Sequence, residues 1–421
     1  MQPALPLAQE KFILRKQVRD VEGYVMVGKR TLSRRSFTKG ALVAGAAAAM
    51  PRLTRAQSST LKIGLMLPYS GVYSKFGEGI TDGVEFALKQ HGGKLGGRPV
   101  EIIKGDDQLD AKIGGEVARK LVTRDKVDIM VGTVGSNVAP VLQKICIDNN
   151  TPLIIPTAAG NELTGSRCNA LVFRVSGSNW QLAHPMGTWL YARGAKRATT
   201  MAMNYAAGKE ETENFSASFK AAGGQILDQK FPGVQELDYQ AYFADILDKK
   251  PDAIFTFFAG SNAVEFVKQY AQAGLKDKVP LYGAEYLIDS TLLPAQGSAA
   301  DGVIVSTYWT PSLENDANKK FVTEFEKTTG KEADLNSMHG HDAITVLAMA
   351  LETTKGNVED KSKLSAALEA VQFQSPRGPF KFSKAHNPIM DMYAVEARGG
   401  KLKVIATIAK DLADPAIGCS L

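Results

Sequence analysis

Short apolar runs alternate with longer helical stretches from residue 61 onward, and from residue 198 the pattern starts again. The first round has strand candidates at 61–67, 100–104, 128–131, 153–155 and 171–175, separated by helices at 79–90, 111–125 and 139–149. The second has strands near 198–203, 225–230, 253–258, 279–282 and 302–306, with helices near 210–222, 239–249 and 263–273. Strand, helix, strand at this spacing requires right-handed crossovers and a parallel sheet. Two rounds predict two sheets, which suits a chain of 421 residues, because single cores stop growing past roughly 250–300. After Trp309 come helices near 318–328, 343–354 and 361–371 and a β-rich stretch over 380–408, to be shared between the two units.

Doubly wound sheets bind ligands outside the carboxyl ends of their strands, where loops meet helix N-termini. The candidate site loops are therefore 68–76, 132–137, 156–161, 204–208, 259–262 and 284–286. They carry aromatics, small residues and hydroxyls, and a single carboxylate, Glu285, that invites a role. The loops 132–137 (GTVGSN) and 156–161 (PTAAGN) offer free backbone N–H groups. The first directly precedes a helix, whose dipole favours a carboxylate. Ordinary strand-to-helix turns use the same vocabulary, so composition alone leaves the two readings level.

Reaction chemistry is not visible. Gly208-Lys209 is followed by Glu210, so no phosphate-binding loop is indicated, and neither a GxSxG elbow nor an HExxH helix occurs. His339-Gly340-His341-Asp342 opens a helix without further metal ligands in view, and His91, His184 and His386 are isolated. No nucleophile, base and orienting group assemble. The expectation is a binding protein, not an enzyme, without cofactor or metal.

The formal charge of +6 comes from the first 56 residues, which hold 11 Lys/Arg and 3 Asp/Glu; the remainder is close to −2. The basicity therefore gives no support to a nucleic-acid partner. Ser33-Arg34-Arg35-Ser36-Phe37-Thr38-Lys39 precedes an apolar small-residue run over 40–50, and Thr54 and Ala56 suit cleavage before Gln57. Charged region, short apolar region and small-residue site describe a secretory signal. The run is too short for the roughly 20 residues that cross a bilayer. Paired arginines followed by Phe and Lys resemble a twin-arginine signal. More than thirty residues precede them, whereas such signals start close to their arginines, which makes Met26 an alternative start.

Export places the three cysteines in a disulfide-permissive compartment. Cys146 falls in the apolar pattern Val138, Val141, Leu142, Ile145 and reads as a buried core thiol. Cys168, in a loop, and Cys419, in the tail, are better placed to pair, although spacing does not fix connectivity.

At the site loops the chain resembles the periplasmic leucine/isoleucine/valine-binding proteins, the type I substrate-binding receptors of ABC transporters. The resemblance covers residues 60–410. Its marks are Pro68-Tyr69-Ser70-Gly71, Phe76-Gly77-Glu78, Asp82-Gly83, Gly96-Gly97-Arg98, Asp106-Asp107-Gln108, the run 128–132, Pro156, Glu162-Leu163-Thr164 and Phe173-Arg174. Pro251-Asp252-Ala253, Ala273-Gly274-Leu275, Gly302-Val303 and His341-Asp342-Ala343 continue the ordered set. The implied fold class is α/β, a type I periplasmic binding protein with two doubly wound parallel-sheet lobes joined by three crossover strands. The crossovers are expected near 173–176, 307–311 and 373–376. The N-terminal lobe would be 59–175 plus 309–374, and the C-terminal lobe 176–308 plus 375–421, after a signal over 1–56.

The resemblance also implies a ligand set. First-lobe loops would hold a carboxylate through Ser136 and Asn137, with Ala158, Ala159 and Gly160 opposite. Phe76 occupies the aromatic position over the ligand, and Glu285 matches the acid that receives an amino acid's ammonium group. Ser261 and Trp309 fall near positions that often hold aromatics. The family's Asp-x-x-aromatic-Gly loop reads Asn204-Tyr205-Ala206-Ala207-Gly208, so Ala207 replaces the ring and Tyr205 stands nearby to supply one. Packing alone is the alternative for Phe76 and Trp309, and a surface salt bridge is the alternative for Glu285. The implied function is a periplasmic, monomeric receptor that closes on a branched-chain or aromatic amino acid and delivers it to permease subunits. The alternatives are a receptor for an aromatic acid or small amide, and a sensor that signals to a membrane partner.

Overall fold

The computed structural model describes residues 60–421, so the expected export segment over 1–56 and the alternative start at Met26 lie outside the described residues. The first sheet holds β1 (Leu61–Leu67), β2 (Lys94–Leu95), β3 (Arg98–Asp106), β4 (Ile129–Gly132), β5 (Leu153–Ile155) and β6 (Val172–Arg174) in the order β2-β3-β1-β4-β5-β6. Every pairing is parallel except the short β2–β3 hairpin. The crossover helices are α1 (Ser74–Gln90), α2 (Ala111–Arg119) and α3 (Ala139–Asp148).

Strand alternation decides which core each residue enters. Leu61, Ile63, Leu65 and Leu67 face the core shared with Ile80 and Val84 of α1, whereas Met66 packs with Leu142 and Cys146 of α3. Cys146 is a buried free thiol, as its place in the apolar pattern predicts.

The second lobe repeats the arrangement with α4 (Asn179–Ala192), β7 (Arg197–Ala202), α5 (Ala206–Ala221), β8 (Gln225–Lys230), α6 (Gln240–Lys249), β9 (Ala253–Phe257), α7 (Gly260–Gln272), β10 (Leu281–Ala284), α8 (Leu293–Gln296) and β11 (Ile304–Thr307). Ile254 of β9 joins the core beneath α6 and α7, while Ala253 and Phe255 join Phe215 and Phe219 of α5 on the other face.

The chain then returns to the first lobe with α9 (Asp316–Thr329), α10 (Leu335–Thr353) and α11 (Lys361–Glu369). α10 lies against α1 at backbone distance, because a Cβ on Gly83 would stand 2.0 Å from the Ser337 carbonyl oxygen and one on Gly340 would stand 2.1 Å from that of Ile80. Asp334 caps α10 through the Ser337 amide and Ser178 caps α4 through that of Gln181, each cap being worth about 1 kcal/mol.

A hairpin of β12 (Gln372–Ser375) and β13 (Gly378–Lys381) follows, and β14 (Met390–Arg398) and β15 (Lys401–Leu412) complete the second sheet in the order β15-β14-β11-β10-β9-β7-β8. β14 and β15 are antiparallel additions to the five parallel strands. Residues 373–376, expected as the third crossover, lie in β12 and the turn after it. Arg377 in that turn bonds Asp342 of α10, which ties the hairpin to the first lobe; the chain enters the second sheet only at Met390.

Three segments thus pass between the sheets, over 175–178, 308–311 and 382–389. Fully buried Arg174 ties the third of them to the first lobe, donating to the Gly160 carbonyl at 2.7 Å, to Asn387 Oδ1 at 2.6 Å and to Thr164 Oγ1. Cys168 and Cys419 are joined by a disulfide with Cα atoms 5.5 Å apart, which pins the tail to the loop before β6. Among the described residues no helix is long and apolar enough to cross a membrane.

Candidate functional site

A narrow space lies where the carboxyl ends of the two sheets meet. Tyr73 and Phe76 enter it from the start of α1, Val134 and Ser136 from the loop after β4, and Thr157 and Ala159 from the loop after β5. The second lobe contributes Tyr205, Ala207 and Glu211 from the start of α5, Phe257 from β9, and Glu285 and Tyr286 from the turn after β10. Asn179 and Leu182 of α4 complete the lining.

The walls are aromatic and they meet across the lobes. Phe76 stacks on Tyr73 at 5.0 Å and on Tyr286 at 4.7 Å between ring centroids. The Tyr73 and Tyr205 phenolic oxygens share a hydrogen bond of 2.7 Å. Burial raises both phenols above their ordinary range. At the same seam the Asn161 amide donates to Glu210 Oε2 at 2.8 Å.

First-lobe polar groups are hydroxyls at loop positions. Ser136 precedes α3, whose N-terminus is an electropositive end for an anion. Thr157 is held from behind by His339 Nδ1 at 3.0 Å, and the other His339 nitrogen bonds the Tyr308 hydroxyl. Burial, then the nearby Arg377 guanidinium, lowers the His339 pKa well below the ordinary range, so the imidazole is neutral.

The second-lobe polar groups are acids. Glu211 is fully buried and Glu285 nearly so. Neither Glu211 oxygen accepts a hydrogen bond, nor does Glu285 Oε2. Burial and then Glu285 push the Glu211 carboxyl well above its ordinary pKa. Burial pushes Glu285 the same way, against partial relief from Arg377. An unpartnered buried carboxylate costs several kcal/mol, so both groups hold protons while no cation is beside them.

Five of the residues singled out from sequence, Phe76, Ser136, Ala159, Tyr205 and Glu285, are brought together here. The others are placed elsewhere. Asn137 donates to the Leu109 carbonyl at 2.8 Å, and the Ala158 amide to that of Thr133 at 2.9 Å. The Gly160 carbonyl serves Arg174, and Ser261 is exposed at the start of α7. Trp309 donates to Asn318 Oδ1 at 2.8 Å and lines a separate, smaller space behind Glu285.

Sequence reasoning missed Tyr73, Asn179, Glu211, Phe257 and Tyr286. One signal was present for Glu211: it stands four residues beyond Ala207, on the same helix face.

The model of the family described as "Periplasmic binding protein" matches residues 60–401. A Leu/Ile/Val-binding protein homolog 6 of Brucella melitensis is 27% identical over 329 residues, covering 77% of this chain and 84% of the relative. A solute-binding protein of an ABC transporter from R. palustris, solved in complex with benzoate, is 37% identical with a TM-score of 0.84, covering 86% of this chain and all of that one. An ABC transporter substrate-binding protein from Sphaerobacter thermophilus is 31% identical with a TM-score of 0.77, covering 84% and 100%.

Proposed function

The chain belongs to the periplasmic binding protein family, and on that premise we propose that it is the receptor that delivers a small aromatic acid to the membrane subunits of an ABC transporter. The observation that carries the reading is the lining of that space: five rings, Tyr73, Phe76, Tyr205, Phe257 and Tyr286, with polar groups on two loops, at Asn179 and on one acidic wall. A flat ring with a carboxylate matches that lining in chemistry. Ser136 and the N-terminus of α3 suit the carboxylate, and Ala207, where the family has a ring, leaves width for the ligand's own. The benzoate complex of the R. palustris relative supports the same class.

An amino acid is the second reading, favoured by Glu285, whose buried oxygen would take an ammonium group. In both readings the lobes close by hinge motion and no covalent bond changes. The lobe assignment that goes with it is 59–175 plus 309–381 and 176–308 plus 390–421, with 382–389 as the third crossing, and with a monomer exported by the twin-arginine route and without enzymatic turnover.

A thermal-shift series on purified protein decides between the ligands. A specific solute at a hundred times its Kd stabilises by about 2.7 kcal/mol. Benzoate or a hydroxybenzoate is expected to do so; a shift with leucine or phenylalanine alone overturns the aromatic-acid reading. Replacing Arg34 and Arg35 by Lys is expected to block export, and normal export of that variant would refute the twin-arginine route.

A further inference from the structure

Four buried oxygens around the site have no hydrogen-bond partner: both Glu211 oxygens, Glu285 Oε2 and Asn179 Oδ1. The orientation of Asn179 is set by its other end, since Nδ2 donates to Glu210 Oε2 at 2.7 Å, a carboxylate that accepts only. Adjacent acids on α5 therefore have different occupations. Glu210 is satisfied by the Asn161 amide and by Asn179, while Glu211 turns into the space with nothing to bind. Ala207, one turn earlier, is too small to cover it. The two pocket acids do not bond each other, so a proton on one does not satisfy the other.

Groups of this kind are satisfied in native proteins, by protein, water or ligand. From this we propose that Glu211, with Glu285 and the Asn179 carbonyl, forms a second recognition pole that accepts a hydrogen bond from a hydroxyl or amino group carried on the ligand's ring. The inference rests on the aromatic-acid reading and narrows it: the preferred solute has a carboxylate at the first lobe and a donor at the second. Glu211 is a specificity-determining residue. A site built to bind a donor rejects the analogue that lacks it, because its acceptors are then left unpaired.

The test is calorimetric titration of the full chain with benzoate, 4-methylbenzoate, 3- and 4-hydroxybenzoate and 4-aminobenzoate, repeated on Glu211→Gln and Glu211→Leu. At least one donor-bearing acid is expected to bind about ten-fold or more tightly than 4-methylbenzoate, which matches it in size. Glu211→Leu is expected to abolish that preference, and Glu211→Gln, which keeps an acceptor oxygen, to lose less. Equal affinity of the methyl and donor-bearing acids for the unaltered protein overturns the inference while leaving the aromatic-acid reading standing. A preference that survives in both variants does the same. Binding of amino acids with no response to any of the five acids overturns the reading itself. If the Leu variant does not fold, the methyl-against-hydroxyl comparison and the Gln variant still decide.

Discussion

The Tyr73 and Tyr205 phenolic oxygens stand 2.7 Å apart, and the rings that carry them belong to opposite lobes. This hydrogen bond exists only while the cleft is shut. In the open state each hydroxyl faces water, so the bond contributes to closure and not to the stability of either lobe.

Tyr205→Phe keeps the ring packed against Phe257 and removes only that bond. A net hydrogen bond is worth about 0.5–1.5 kcal/mol, so the Kd for the solute is expected to rise by roughly two- to ten-fold. The melting temperature of the ligand-free protein is expected to stay within about a degree or two. Unchanged affinity in titration would show that closure does not draw on this pair.

Gly260 begins α7 at φ +59, and a Cβ there would lie 2.3 Å from the Val72 carbonyl oxygen of the other lobe. Gly260→Ala therefore meets a backbone obstacle in the closed form only, besides a left-handed strain of about 1–2 kcal/mol in both forms. Small-angle scattering should show a variant that stays extended when solute is added. Compaction equal to that of the unaltered protein would contradict it.

The Glu211 carboxyl gives the closed receptor a signed pH dependence. Its pKa in the fold is raised well above 4.5, first by burial and then by Glu285 and Glu210. Between those two values the folded chain holds a proton that the unfolded chain has released. The stability contribution is present below the unfolded value and is lost as pH rises, by up to about 1.4 kcal/mol per unit. Thermal melts of Glu211→Gln against the unaltered protein should show the variant's advantage growing from about pH 5 to about pH 8. A gap that does not vary with pH would rule this out.

Replacing Cys168 and Cys419 by serine should act locally. The bridge holds the last residues, which are otherwise anchored near Asp414 through Ser178. Hydrogen exchange is expected to accelerate over 413–421 first, ahead of the rest of both lobes. Uniform acceleration across both lobes would show that the bridge supports the whole fold.

Several of these features were legible in the chain before folding. Alternation of apolar runs gave both sheets, and the rule that ligands lie at strand carboxyl ends marked the loops that carry Ser136, Ala159 and Glu285, which the family resemblance then singled out. Glu211 was not legible because it sits in the run Lys209-Glu210-Glu211-Thr212-Glu213, which reads as a solvated helix face. Only the packing of α4 on α5 turns one of those acids inward. Trp309 shows the converse, since nothing local reveals that Asn318, nine residues on, takes its N–H. The third crossing was placed too early because residues 372–381 pair with themselves in a hairpin before the chain leaves the lobe.

Arg174 has a further consequence. One guanidinium fastens the loop that carries Ala159 to the returning segment at Asn387, so the fulcrum and one jaw of the clasp are a single rigid piece. Selectivity can then be retuned by altering the walls while the swing is preserved. A change at Asn387, which lines no part of the pocket, would instead loosen the grip on every solute alike.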